Sequence, residues 1–260
     1  MVGDWWWMTR YGHHHLNVTH VGEHVRFFVN TLGGRLSTRG TIQAVEFPNA
    51  LVFLLEQPPT GGTKGTTVNH IAFGVPDIRR IVATVKAAGY AMVTRAELPT
   101  TLEVRDDLCY MADQSTFVAF TMAPDETKIE FIEIPPQRTP IALHHIHFAA
   151  PQVLEMKAWY VKVLGAKPGT RGNFEAADLP CVNLTYSPAP SPVVGTKGRS
   201  LDRIGFEMND LEAYCRGLEA LGVAFDRPFT RVPPWNIGTA LVTDPWGTSI
   251  ELTEGLGEVS

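Results

Sequence analysis

The sequence predicts an α+β protein assembled from four copies of one unit, each a strand, a helix and several further strands. Three observations carry this. "GTKGTTVNHIAFGVPDIRRIVATVKAAGY" (62–90) returns as "GTKGRSLDRIGFEMNDLEAYCRGLEALGV" (195–223), an offset of 133 from Gly65 to Gly198. "HHHLNVTHVGEHVRFFVNTLGG" (13–34) lies without a gap on "HIHFAAPQVLEMKAWYVKVLGA" (145–166). "APDETKIEFIE" (123–133) lies on "DPWGTSIELTE" (244–254), with Glu130 on Glu251. A repeat of this kind marks a duplicated supersecondary unit.

The elements follow in chain order. The histidine-rich stretch near the start is a strand, because a purification tag would have no counterpart 132 residues away, at His145 for His13. Its period of two puts His13 and His15 on one face and His14 on the other. A helix follows in both copies. In the second unit an alternating strand leads to Asp77, and in the fourth to Asp210. Both aspartates are placed to cap a helix whose apolar residues recur at three and four. Each of these helices ends in a glycine, Gly89 and Gly222. "IPPQRTP" (134–140), with its prolines, divides the chain into halves at 10–135 and 140–256. The offset falls from 133 at Gly65/Gly198 to 121 at Glu130/Glu251, so the first half has 12 additional residues. They lie in "ELPTTLEVRDDLCYMADQ" (97–114) and are either a lid over a site or an ordinary surface loop.

Composition narrows the function. The chain has 260 residues, 44% hydrophobic and 19% charged, as a globular protein with a sizeable core would have. A net charge of −5 with no basic run argues against nucleic acid. No apolar stretch is long enough to span a membrane. The N-terminus shows no signal-peptide pattern. The three cysteines Cys109, Cys181 and Cys215 are widely spaced and form no CxxC. That favours reduced thiols and a cytoplasmic setting. Trp5-Trp6-Trp7 reads as a packing plug or an exposed patch and receives no functional role. "DPWGT" (244–248) reads as a turn, and Asn69 as a structural residue on the strand face opposite His70.

Three elements recur with chemistry on them. In the first half they carry His13 (with His15), His70 and Glu130. In the second half the same positions hold His145 (with His147), Arg203 and Glu251. A lone strand histidine is usually an ordinary side chain; co-occurrence at repeated positions is what gives these weight. Two imidazoles and one carboxylate suit a divalent transition metal and leave positions open for water, substrate or dioxygen. Arg203 is permanently cationic and has no lone pair to donate. It is expected to pair with Glu251, leaving one competent metal site per chain.

With these motifs the chain resembles the vicinal oxygen chelate superfamily, which includes glyoxalase I, extradiol dioxygenases, bleomycin-resistance proteins and fosfomycin-resistance transferases. The resemblance rests on "H…RFFVNTLGG" (13–34), "NHIAFGVPDI" (69–78), "PDETKIEFIE" (124–133), "H…AWYVKVLGA" (145–166), "DRIGFEMNDL" (202–211) and "DPWGTSIELTE" (244–254). It covers nearly the whole chain after Tyr11. It implies four βαβββ modules forming two half-open β-barrels. It also implies a metal held by His13, His70 and Glu130 if modules one and two share a barrel, the pairing adopted here. If modules two and three share one, His145 replaces His13. Glyoxalase I has a fourth ligand, a glutamate. By register that position falls near Phe53 and near Asn183, neither of them acidic, and Glu56 is three residues off and on the other face.

A missing fourth ligand resembles the two-histidine, one-carboxylate arrangement of oxygen-activating Fe(II) enzymes. The leading expectation is therefore an extradiol-type dioxygenase acting on a small oxygenated or aromatic substrate. Fe(II) is the favoured metal, with Zn, Ni or Mn as alternatives. His15, on the face of His13, is the candidate for acid/base or orienting work. The rival readings are a glyoxalase-like lyase or isomerase and a metal-free small-molecule (drug) binding protein. The expected partner is a small-molecule substrate, with no nucleic acid and no membrane, and a homodimer is compatible with the reading.

Overall fold

The computed structural model describes residues 9–189, 192–233 and 235–256. Trp5-Trp6-Trp7 lies outside the described residues. The first unit contains β1 (Thr9–Val18), α1 (Val21–Val25) continuing into a π-helical turn (Arg26–Thr31), β2 (Arg35–Arg39), β3 (Ile42–Phe47) and β4 (Ala50–Glu56). The second contains β5 (Val68–Val75), α2 (Ile78–Ala87), α3 (Thr94–Glu97), β6 (Val104–Arg105), β7 (Leu108–Met111), β8 (Thr116–Ala123) and β9 (Thr127–Glu133). The third contains β10 (Ala142–Ala150), α4 (Val153–Leu164), β11 (Lys167–Arg171), β12 (Phe174–Leu179) and β13 (Val182–Pro188). The fourth contains β14 (Leu201–Met208), α5 (Leu211–Ala220), β15 (Phe225–Val232), β16 (Ile237–Thr243) and β17 (Ser249–Glu254). The expected caps are in place. The Asp77 carboxylate accepts from the Arg80 N–H at 3.0 Å and that of Asp210 from the Ala213 N–H at 3.3 Å.

The strands form two open mixed sheets. One has eight strands in the order β15-β16-β17-β14-β1-β4-β3-β2, the other nine in the order β11-β12-β13-β10-β5-β9-β8-β7-β6. Unit one is therefore joined to unit four, and unit two to unit three. The pairing adopted from the sequence, one with two, is corrected here. The reason lies in the linker. Residues 134–140 only have to carry the chain from β9 across β5 to its far side, where β10 pairs antiparallel with β5. Gln137 holds this crossing by donating to the Gly74 carbonyl at 2.7 Å and the Thr139 carbonyl at 2.9 Å. A short connection favours neighbouring strands, and units one and four then close on each other through β1 and β14.

The two seams carry matching irregularities. The pairing of β1 with β14 slips between Tyr11 and His13, so Gly12 is the extra residue. The pairing of β10 with β5 slips at the equivalent place, with His144 extra. A bulge of this kind resets which face each side chain takes. Beyond it, His13 and His15 share a face as expected. Tyr11 is moved to the other face, where its hydroxyl hydrogen-bonds the buried His14 ring. That other face is the core. Phe27, Phe28, Phe73, Phe131, Phe148 and Phe206 are all fully buried in one continuous cluster fed by both sheets. The rings of Phe47 on β3 and Phe73 on β5 meet across the sheets at 4.8 Å. Among the described residues no helix is long and apolar enough to cross a membrane.

The residues of the first-half insertion become α3's end, β6 and β7, which extend the nine-stranded sheet at its edge. Glu97, Leu98, Pro99, Met111 and Gln114 from this segment line the cavity described next.

Candidate metal centre

Three strands of the nine-stranded sheet converge on one carboxylate. β5 brings His70, β9 brings Glu130 and β10 brings His145. Both imidazoles face the same oxygen: His70 Nε2 is 2.9 Å and His145 Nε2 3.1 Å from Glu130 Oε2. His147 lies two residues along β10 on the same face. Its ring stacks on His70 with centroids 4.5 Å apart, and its Nε2 is 2.9 Å from the Ser187 hydroxyl. The ligand nitrogens of His70, His145 and His147 all lie within 4.8 Å of one another. These groups are almost fully buried, Glu130 at 7% exposure. They stand at one wall of a cavity of about 550 Å³.

The electrostatics suit a cation. Burial holds the His70 imidazole down at about 4, against the partial opposition of Glu130, and holds His147 well below its ordinary value. Burial would raise the Glu130 carboxyl, but His145 and His70 outweigh it and keep it well below the usual carboxylate range. His70 Nδ1 is 2.8 Å from the Asn69 side-chain oxygen Oδ1. That oxygen accepts and so favours the tautomer with the ring proton on Nδ1, while Nε2 lies 2.9 Å from Glu130 Oε2. In that tautomer Nε2 would offer its lone pair to a cation shared with Glu130. His145 Nε2 points the same way: it is buried and has no hydrogen bond despite the nearby carboxylate. Asn69, read as structural, thus turns back and biases the tautomer of its neighbour.

The sequence-predicted residues divide between two places. His70 and Glu130 come together as expected. His13 does not join them, because β1 belongs to the other sheet; His145 holds its place, as in the alternative pairing. His15 is also in the other sheet, and its counterpart beside Glu130 is His147. The fourth-ligand position, read near Asn183, is corrected: the residue in register with His147, as Phe53 is with His15, is Thr185. Thr185 lines the cavity, whereas Asn183 lines a separate surface depression. Sequence reasoning missed Lys128 and Glu97. Lys128 is 3% exposed on the cavity wall, and its Nζ is 2.7 Å from Glu97. Its signal was available: it precedes Glu130 by two residues on one strand and so shares its face.

The eight-stranded sheet repeats the arrangement with other chemistry. His15 Nε2 is 2.8 Å and His13 Nε2 3.2 Å from Glu251 Oε2. Arg203 stands across from His15 in the register that His70 has with His147. The expected ion pair with Glu251 is present but long, the Arg203 Nε lying 3.5 Å from Oε2. The closer guanidinium is that of Arg227, at 3.0 Å from Glu251 Oε1, a contact the sequence did not suggest. Phe53, at the fourth-ligand position of this unit, stacks on His15 at 4.7 Å.

Comparison with known proteins agrees with this fold. Residues 10–106 and 142–252 match the Glyoxalase/Bleomycin resistance protein/Dioxygenase superfamily. No curated protein sequence matches the chain. Among solved structures, the chain is similar to a single-site variant of glyoxalase I from Zea mays, with a TM-score of 0.74 at 17% identity, covering 97% of each chain. It is similar to Zea mays glyoxalase I itself, with a TM-score of 0.72 at 18% identity over 95% of this chain and 92% of that one. It is also similar to a candidate dioxygenase from Bacillus subtilis, with a TM-score of 0.66 at 14% identity over 95% and 86% of the two chains. At such identities these likenesses establish the fold.

Proposed function

The chain belongs to the Glyoxalase/Bleomycin resistance protein/Dioxygenase superfamily, and on that premise we propose that it is a metal-dependent enzyme with one divalent cation held by His70, Glu130 and His145. The observation that carries this is the pair of buried imidazole nitrogens aimed at one carboxylate oxygen, one of them without any hydrogen bond. A bound divalent cation would act as a Lewis acid on vicinal substrate oxygens and as a template for a second reactant. Asn69 Oδ1 would keep the proton of His70 on Nδ1 and free Nε2 for the cation. His147, neutral in its buried place, is the group to take a proton from substrate and return it, with Ser187 holding its Nε2. Leu98, Met111 and Phe120 on the cavity wall exclude water from the reacting oxygens.

The reaction favoured is extradiol-type dioxygenation with Fe(II). Its support is the ligand set: two histidines and one carboxylate, with Thr185 where a fourth carboxylate would otherwise bind. A lyase or isomerase of the glyoxalase kind is the second reading, favoured by the neutral His147 placed to serve as a base without redox chemistry.

The test is elemental analysis of untagged protein purified without oxygen, together with His70→Ala, His145→Ala, Glu130→Gln and His13→Ala. About one equivalent of iron, lost in the first three variants and kept in the fourth, is the expected result, with oxygen uptake on a vicinal diol such as catechol. Zinc or nickel in that pattern moves the reading to the lyase. Absence of metal after reconstitution overturns both.

A further inference from the structure

The second cavity, in the eight-stranded sheet, is built differently. It has a volume of about 250 Å³ and is bounded by His13, His15, Arg203, Arg227 and Glu251 on one side. Phe53, Ile42, Ile237, Leu256 and Trp235 form the apolar remainder. Its lining carries three arginines and one carboxylate. Glu251 is satisfied without Arg203: Oε1 accepts from Arg227 at 3.0 Å and from the Thr239 hydroxyl at 3.1 Å. Oε2 faces His15 and His13 at 2.8 and 3.2 Å. The third guanidinium on the wall, Arg39, is paired with Glu46 at 2.9 Å.

Arg203 is held more loosely, by two long ion pairs and one long hydrogen bond. Its contacts are Asp202 Oδ2 at 3.4 Å, His15 Nδ1 at 3.4 Å and Glu251 at 3.5 Å, and its Nε is buried without a hydrogen bond. Asp202 is shared: its Oδ1 accepts from the Gly198 N–H at 2.7 Å and from Asn17 at 3.2 Å, and only Oδ2 faces Arg203. A guanidinium offers five donors in a planar fork that matches a carboxylate. The cluster His13–His15–Glu251 has metal-ligand spacing. Two arginines at that carboxylate oppose a dication, since Glu251's charge is already shared and like charges repel.

We propose that this cavity is a receptor for a small organic carboxylate with an apolar or aromatic body. The carboxylate takes the fork of Arg203, and the body lies against Phe53, Ile237 and Leu256. Trp235 packs on the Gly40 turn at the mouth, where a side chain on Gly40 would meet the indole at 2.6 Å. The symmetry-related positions of the two sheets thus serve two chemistries: a lone-pair donor, His70, in one, and an anion-binding fork, Arg203, in the other.

The experiment is calorimetric titration of the full chain with benzoate, and separately with inorganic phosphate. Expected are saturable benzoate binding, weaker phosphate binding, affinity unchanged in Glu130→Gln, and a loss of about tenfold or more in Arg203→Met. Ile237→Trp, which fills the apolar wall without touching the charges, is expected to abolish binding as well, and covers the case in which Arg203→Met does not fold. Benzoate affinity that survives both substitutions, or is lost in Glu130→Gln instead, overturns the proposal. So does phosphate binding as tightly as benzoate, or no binding of either.

Discussion

At the scale of the residue, the decisive feature of the candidate metal centre is which atom carries a lone pair. His70 is not a ligand candidate by being a histidine on a strand; it is one because Asn69 Oδ1, 2.8 Å from Nδ1, favours the proton there, and Nε2 faces the Glu130 carboxylate. Partners of this kind are worth roughly 10–100-fold in metal affinity. Asn69→Ala should therefore weaken metal binding by about that factor while leaving the melting temperature of the metal-free protein nearly unchanged, as a competition titration with a chelating dye would show. This contact was not legible in advance, because alternation along the strand sends adjacent side chains to opposite faces. The Asn69 amide reaches back around the backbone, and only the folded geometry shows it.

At the scale of the element, capping and ion pairing set the local stability. The Asp77 carboxylate caps α2 through the Arg80 N–H. Asp77→Ala should cost about 1 kcal/mol of unfolding free energy, measured by denaturant titration. The inserted segment of the first half is tied down by a buried pair, Lys128 with Glu97 at 2.7 Å, with side-chain exposures of 4% and 14%. Removing one partner strands the other charge in the protein. Glu97→Ala should cost roughly 3 kcal/mol, and hydrogen exchange should increase first in β6 and β7. Glu97→Ala with Lys128→Met together should recover much of that loss. The insertion was visible in the sequence as a change of offset. Its place over the cavity was not, because that depends on β8 and β9 bringing Lys128 beneath it.

At the scale of the whole molecule, both sheets are composite. Each is a pairing of one unit from the first half with one from the second, and the core is continuous across them. Residues 1–135 expressed alone would leave the β1 and β5 edges without partners. We expect no folded monomer from that fragment, only a dimer or aggregate by light scattering. Buried neutral histidines set the pH response. Burial holds His14 and His144 at about 3, and His15 and His70 at about 4, below the ordinary value of 6.5. In the unfolded chain these groups take up protons below about 6.5, while the folded protein resists until far lower. The unfolded state thus binds more protons in that window, so stability is full above it and falls as pH drops from about 6.5 towards 4. Melting temperature measured in the presence of a chelator should be flat above pH 7 and decline steadily below it.

The sequence by itself determined the units, their order, and the strands that bear His70, Glu130, His145 and Glu251. These are local properties: period, cap, turn and residue type repeat wherever the unit repeats. Only the tertiary structure decided that His145 rather than His13 meets Glu130. β1 and β10 carry the same pattern and could each complete the edge of β5. The choice between them rests on the short path from β9 past Gln137 to the far side of β5, and on the closure of units one and four that remains once that path is taken.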